Sequence, residues 1–299
     1  MQFSDWRRPT GLVRQPDSMR TDYERFFVRP FTPRFGAELV GLSVNELDGA
    51  TISLVREAWM DWKVLVFRDQ DITSDEQLAF ALQFGQVDHH PYLAKGESED
   101  LSVLDNPLAP PFLESNPPSE RSGRWHSDAT FRSCPPYGSF LLARILPSVG
   151  GDTLWADMEQ VYEGLSDEVK SLIDGRTASH SLTKSSFVSL KPEDLEAELE
   201  RFPPQHHPIV RTHPVTGRKS LYVNSVFVDH VDGLQDDLGQ KLLDHLVCEV
   251  HKPEYQMRLG WEVGSLAMWD NRCTQHCAVY DYYERRRVER VTLAGERPV

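Results

Sequence analysis

The pattern of apolar and polar positions changes period several times along the chain, and each change marks an element. Within residues 51–62, Ile52, Val55, Ala58 and Trp59 recur at helical spacing, which lines one side of a helix. Residues 64–67, Val-Leu-Val-Phe, are an uninterrupted apolar run with the length of a buried strand. Thr73 and Glu76 then make a capping box, each side chain satisfying a backbone amide at the start of a helix that runs to about Phe84 and stops at Gly85. Strand-like runs follow at 101–104, 138–145 and 152–156, separated by turns such as Pro147-Ser148-Val149-Gly150-Gly151.

Helical spacing returns at 157–173 and at 235–251, where Leu238, Leu242, Leu243 and Leu246 repeat at three and four and Pro253 closes the run. Between them, 209–212 and 220–223 flank Pro214-Val215-Thr216-Gly217-Arg218 and read as a hairpin. Residues 265–269 and 288–293 are strand again. Many short strands without βαβ alternation predict a mainly β protein with flanking helices, an antiparallel sandwich or barrel. Residues 1–26, rich in Arg, Asp and Pro, read as an N-terminal arm; residues 27–299 read as one domain, with no repeat or linker dividing it.

Composition narrows the function. With 39% hydrophobic and 26% charged residues the chain is ordinary globular protein. A formal charge of -14 and no basic run argue against a nucleic-acid partner. The absence of a signal-like stretch or a membrane-length apolar window predicts a cytoplasmic protein without membrane contact. Four scattered cysteines fit a reducing compartment. A homo-oligomer stays open.

Chemistry enters at Trp125-His126-Ser127-Asp128. On a strand or its extended exit, His126 and Asp128 point to the same side while Ser127 points away. With a second histidine they would form the two-His, one-carboxylate face that leaves positions open on Fe(II) for a bidentate co-substrate and O2. Taken alone, the pair is far more often a surface histidine beside a turn carboxylate than a metal site.

Three separated segments change that balance: Trp125-His126-Ser127-Asp128-Ala129-Thr130-Phe131, Gly150-Gly151-Asp152-Thr153-Leu154-Trp155 and Trp269-Asp270-Asn271-Arg272-Cys273-Thr274-Gln275-His276. In order and spacing they resemble the taurine dioxygenase family of Fe(II)/2-oxoglutarate oxygenases, and weaker similarity runs from about Phe27 to the end. The resemblance implies a double-stranded β-helix (jelly-roll) core, Fe(II) as cofactor, 2-oxoglutarate and O2 as co-substrates, and His126, Asp128 and His276 as iron ligands. It also implies that Thr153 hydrogen-bonds the distal carboxylate of 2-oxoglutarate beside an arginine from the run 285–292. Counting forward from His276 selects Arg287; counting back from Gly295 selects Arg286. Strand parity favours Arg286, with Arg290 on the same side for an anionic substrate, unless a bulge inverts the order. His90, Asn106 and Phe227 fall at substrate-pocket positions of the family. Leu93 and Leu182 stand where taurine dioxygenase itself has aromatic residues, so taurine is not implied as substrate. Loops 88–117 and 183–206 are expected to shape the pocket.

The reaction so implied hydroxylates an aliphatic C–H of a small anion, such as a sulfonate, sulfate ester, aryloxy-carboxylate or other carboxylate, as 2-oxoglutarate becomes succinate and CO2. A hydroxylated carbon bearing sulfonate, sulfate or aryloxy then collapses to a carbonyl and releases that group. Asp128 argues against a halogenase, which needs the carboxylate position open for chloride. A zinc hydrolase on a jelly-roll scaffold accepts the same ligands but has no use for Thr153 or the arginine pair; a non-catalytic binder is a third class. His180, His206, His207 and His213 have no ligand spacing and read as structural. Cys273 and Cys277 have the opposite strand parity from His276 and read as packing residues.

Overall fold

The computed structural model describes residues 19–89, 100–106, 124–183, 192–234 and 237–299. The chain runs through β1 (Val28–Pro30), β2 (Ala37–Leu39), α1 (Gly49–Trp62), β3 (Val64–Phe67), α2 (Ser74–Leu82), β4 (Ser102–Asn106), β5 (Gly138–Ile145) and β6 (Thr153–Asp157). Two short helices follow, α3 (Met158–Glu163) and α4 (Asp167–Ile173), then β7 (Thr177–His180), α5 (Pro192–Arg201), β8 (Gln205–Pro208), β9 (Val210–Thr212), β10 (Lys219–Leu221) and β11 (Val228–Val231). Helix α6 (Asp237–Cys248) precedes β12 (Gln256–Leu259), β13 (Leu266–Asp270), β14 (Thr274–Ala278) and β15 (Arg286–Leu293).

A seven-stranded sheet in the order β1-β2-β3-β13-β5-β15-β4 faces a three-stranded sheet β12-β6-β14, and the two form the walls of a jelly roll. A second three-stranded sheet, β11-β7-β8, and the hairpin β9-β10 stand beside them. Strand β3 shows how the layers are held. Leu65 and Phe67 turn outward into a cluster with Val55 and Trp59 of α1 and Phe80 of α2. Val64 and Val66 turn inward against Trp155, Met257 and Leu259 of the small sheet. A strand buried on both faces loses polar alternation, which is why this segment reads as a plain apolar run. Burying each such side chain contributes about 1.5–3 kcal/mol.

Local capping fixes the helix starts. Thr73 and Glu76 close the expected capping box on α2. The single helix expected over 157–173 is two helices instead. Asp157 accepts from the amides of Glu159 and Gln160 to start α3, and Ser166 accepts from the Val169 amide to start α4 after a break at Gly164. Helix α5 lies inside the stretch 183–206 expected as loop. Of the expected N-terminal arm, the part from residue 19 packs on α1: Tyr23 and Phe26 are buried and stacked, and the Tyr23 hydroxyl donates to Asp61 at 2.7 Å. No helix among the described residues is long and apolar enough to cross a membrane.

Candidate active site

The site lies between the two jelly-roll sheets, at the end where β14 pairs with the extended residue His126. His126 and His276 are directly opposed in an antiparallel bridge, the amide of each donating to the carbonyl of the other at 3.1 and 2.8 Å. Opposed residues project to the same side, so the two imidazoles meet with centroids 4.2 Å apart. After His126 the chain turns, with Ala129 at φ 45°, and Asp128 is delivered onto the same side. Asp128 Oδ1 lies 3.9 Å from His126 Nε2 and 3.7 Å from His276 Nε2. Those separations are too long for hydrogen bonds. They lie within the roughly 4.2 Å that two ligands of one ion at about 2.1 Å can span.

Neighbours hold the donors in ligating form. His126 Nδ1 is 2.9 Å from the Arg124 carbonyl, which can only accept, so Nδ1 carries the proton and the Nε2 lone pair faces Asp128. The outer oxygen of Asp128 accepts from Ser139 Oγ at 2.7 Å and from Asn271 Nδ2 at 3.2 Å, while Oδ1 accepts from Arg290 Nη1 at 3.2 Å. Trp269 Nε1 in turn donates to Asn271 Oδ1 at 2.9 Å. Burial lowers the His126 imidazole, and burial with the neighbouring His126 pulls His276 down to about 3. Burial alone would raise the Asp128 carboxyl, but Arg290, both histidines and the Ser139 hydrogen bond outweigh it and hold the group well below the carboxylate range. At neutral pH the set is therefore two neutral imidazoles and one carboxylate, which is the donor set Fe(II) takes.

A cavity of about 290 Å³ opens from this triad, walled by Thr153, Phe131, Phe227, Tyr280, Tyr282, Arg286 and Arg290, among others. Arg286 crosses the Gly150-Gly151 turn: its Nε donates to the Gly151 carbonyl at 3.1 Å, and a Cβ on Gly151 would stand 3.2 Å from its Cδ. Gly151, at φ +75°, suits both the turn and this approach. No carboxylate among the described residues pairs with Arg286, and burial pulls its guanidinium down from the usual value. Thr153 Oγ1 accepts from Trp261 Nε1 at 3.0 Å.

The model of the family described as "Taurine catabolism dioxygenase TauD, TfdA family" matches residues 28–292. This chain belongs to the TauD/TfdA family. An alpha-ketoglutarate-dependent sulfate ester dioxygenase of Pseudomonas putida is 36% identical over 97% of this chain and 94% of its own. An alpha-ketoglutarate-dependent 2,4-dichlorophenoxyacetate dioxygenase of Cupriavidus pinatubonensis is 35% identical over 89% and 97%. The crystal structure of a putative alpha-ketoglutarate-dependent taurine dioxygenase from Burkholderia xenovorans superposes with a TM-score of 0.79 at 30% identity, covering 92% of this chain and 94% of that one. The protein is accordingly a 2-oxoglutarate-dependent dioxygenase that uses Fe(II) and O2, rather than a hydrolase or an inert binder.

In this TauD/TfdA enzyme Arg286 and Arg290 face the cavity with Val288 between them, while Arg287 faces away and donates to Glu289 at 2.9 Å. A register shift does occur beside Arg287. The extra residue is Arg144 on β5, so alternation along β15 is undisturbed. Arg287 is therefore not brought to the cavity. Phe227 and Asn106 line it, but the Asn106 amide donates to Tyr282 Oη at 3.0 Å. His90 and Leu93 lie outside the described residues. Leu182 is buried behind Phe131 and Phe227 in one apolar cluster.

The remaining histidines and cysteines take other places. His180, His207 and His213 are buried, and His206 bonds Asp232. Cys277 faces the apolar cluster beyond the small sheet, as parity predicts, whereas buried Cys273 sits in the turn before β14 rather than on it. Sequence reasoning missed Ser139, Asn271, Trp261, Tyr280 and Tyr282. Asn271 stands inside the segment Trp269–His276 that carries part of the family resemblance. Tyr280 and Tyr282 share parity with Arg286, a signal available had strand geometry been extended back into the preceding loop.

Proposed function

We propose that His126, Asp128 and His276 hold Fe(II), that Arg286 and Thr153 hold the distal carboxylate of 2-oxoglutarate, and that Arg290 receives the anionic head of a small organic substrate with an apolar body. Iron at the triad supplies the redox chemistry that couples oxidation of 2-oxoglutarate to succinate and CO2 with hydroxylation of a substrate C–H. The observation that carries the substrate reading is the state of Arg290. Its Nη1 bonds Asp128, yet Nε and Nη2 are buried without a partner among the described residues. Those two N–H groups share one edge of the guanidinium, a fork that matches a carboxylate or sulfur oxyanion. Phe131, Phe227, Leu141 and Val288 line the cavity around it and suit an apolar body. Sulfate esters, alkanesulfonates and aryloxyalkanoates have this shape, in keeping with what the relatives' names state for those proteins. The chain's own part is to orient the substrate by its anion and to exclude water with the aromatic wall.

The test is an oxygen-dependent succinate assay over alkyl sulfates, alkanesulfonates and aryloxyalkanoates with Fe(II) present. Succinate formation stimulated by one of these anions, but not by its neutral alcohol, is expected. Equal stimulation by the neutral analogue would contradict the role given to Arg290.

A further inference from the structure

Two hydroxyl groups in the cavity, on Thr153 and Tyr282, share an arrangement that the roles given above leave unused. A hydroxyl has one proton to donate and lone pairs to accept with. On Thr153 the lone-pair side is taken by Trp261 Nε1 at 3.0 Å; on Tyr282 it is taken by Asn106 Nδ2, also at 3.0 Å. A proton cannot point at a donor, so each hydroxyl must direct its own proton elsewhere. Both side chains are almost wholly buried, at 4% and 2% exposure, and both line the cavity. Neither O–H has an acceptor among the described residues, and a buried donor left unmatched is costly.

The cation bearing on the Tyr282 hydroxyl is Arg286, itself 7% exposed and without a carboxylate partner among the described residues. Asn106 stands directly opposite Arg286 in the β4–β15 ladder, so the residue that holds Tyr282 is tied to the strand that carries the arginine. Three donors, from a guanidinium, a threonine and a tyrosine, are thus gathered at one cavity with no carboxylate among the described residues bonded to them.

We infer that Tyr282 is a third binding group for the distal carboxylate of 2-oxoglutarate, and that Trp261 and Asn106 are positioning residues that fix the proton directions of Thr153 and Tyr282. The inference rests on the proposed role of Arg286 and Thr153. A hydroxyl whose proton is already committed loses little rotational freedom when the carboxylate arrives, so both groups are preorganised for that anion. They offer nothing to a 2-oxo acid that ends in a methyl group.

The experiment is an anaerobic titration of the Fe(II)-loaded full chain with 2-oxoglutarate and, separately, with 2-oxopentanoate, following the visible charge-transfer absorption of the chelate. Tyr282→Phe is expected to raise the Kd of 2-oxoglutarate roughly tenfold, the size of a lost hydrogen bond to a charged group, and to leave that of 2-oxopentanoate unchanged. Trp261→Phe is expected to weaken 2-oxoglutarate a few-fold, and to do nothing further once Thr153→Val is present. Should Tyr282→Phe fail to fold, Asn106→Leu keeps the ring, frees the hydroxyl and is expected to give a smaller loss with the same selectivity. An unmoved 2-oxoglutarate Kd, or equal weakening of both oxo acids, would overturn the inference while leaving the co-substrate site standing. Absence of any band in the unaltered protein would overturn both.

Discussion

Two buried clusters within a few residues of each other use nearly the same side chains to opposite ends. His126, Asp128 and His276 bring their ligand-type atoms within 4.8 Å of one another, and so do His213, Asp270 and Cys273. Each aspartate also has an arginine, Arg290 in the first and Arg272 in the second. The difference lies in which nitrogen carries the proton. His213 Nδ1 accepts from the amides of Val215 and Thr216, so its Nε2 must be the protonated nitrogen, and it donates to Asp270 Oδ2 at 3.0 Å. Arg272 grips the same carboxylate through both oxygens, at 2.8 and 2.6 Å, and burial raises the Cys273 thiol well above its ordinary value. No lone pair or thiolate is left for an ion. In the first cluster the Arg124 carbonyl reverses the tautomer of His126, and the nitrogens stand too far from Asp128 to bond it. Proximity of ligand types does not make a metal site; the outer hydrogen bonds decide it.

Removing each aspartate should separate the two clusters most sharply. Asp128→Ala is expected to weaken Fe(II) binding by more than about 100-fold, since the loss of outer partners alone costs 10- to 100-fold, with the fold retained. Asp270→Ala strands the buried Arg272 charge and should cost about 3–5 kcal/mol in urea unfolding, while the folded fraction still binds Fe(II). Loss of iron from folded Asp270→Ala would dissolve the distinction. On the co-substrate side, Arg286→Met should raise the Kd of 2-oxoglutarate about 10- to 100-fold, whereas Arg287→Met, which disturbs only the outer face of β15, should change it by no more than about twofold. Ser139→Ala removes one of the three groups bonded to Asp128 and should weaken Fe(II) by roughly tenfold.

Acid should act through the first cluster with a smaller, graded effect. An unfolded imidazole takes up its proton near 6.5, which folded His276 refuses until about 3. Asp128, with its carboxyl held low, likewise contributes stability that is lost as pH falls. Metal-free protein is therefore expected to lose stability progressively from pH 6.5 downward. Melting curves at pH 7, 6 and 5 should show the slope, and His276→Gln should make it shallower, with buried His126, His180 and His207, whose imidazoles burial also pulls down, supplying the remainder.

How far these features were legible in the sequence depends on what each residue faces. Strands buried on both sides, β3 and β5, were read with their observed limits, and the capping box formed as read, because apolar runs and Thr/Glu spacing are local signals. Strands β7 and β8 were not seen, and β14 entered only through the strand parity of Cys277 and His276. They are short and carry polar groups such as His180, His207 and His276, whose partners come from elsewhere in the chain. Helix α5, Pro-Glu-Asp-Leu-Glu-Ala-Glu-Leu-Glu-Arg, has good helix formers but only two leucines, too narrow an apolar stripe to announce itself. Parity correctly separated Arg286 from Arg287 because the bulge fell on the partner strand. Nothing local could reveal that Ser139, eleven residues after Asp128, would return to bond it.

The most direct test is anomalous diffraction at the iron edge from crystals grown anaerobically with Fe(II). The account predicts one strong peak among His126 Nε2, His276 Nε2 and Asp128 Oδ1, and none at His213, Asp270 and Cys273. A peak at the second cluster, or its absence from the first in protein that has bound iron, would contradict it.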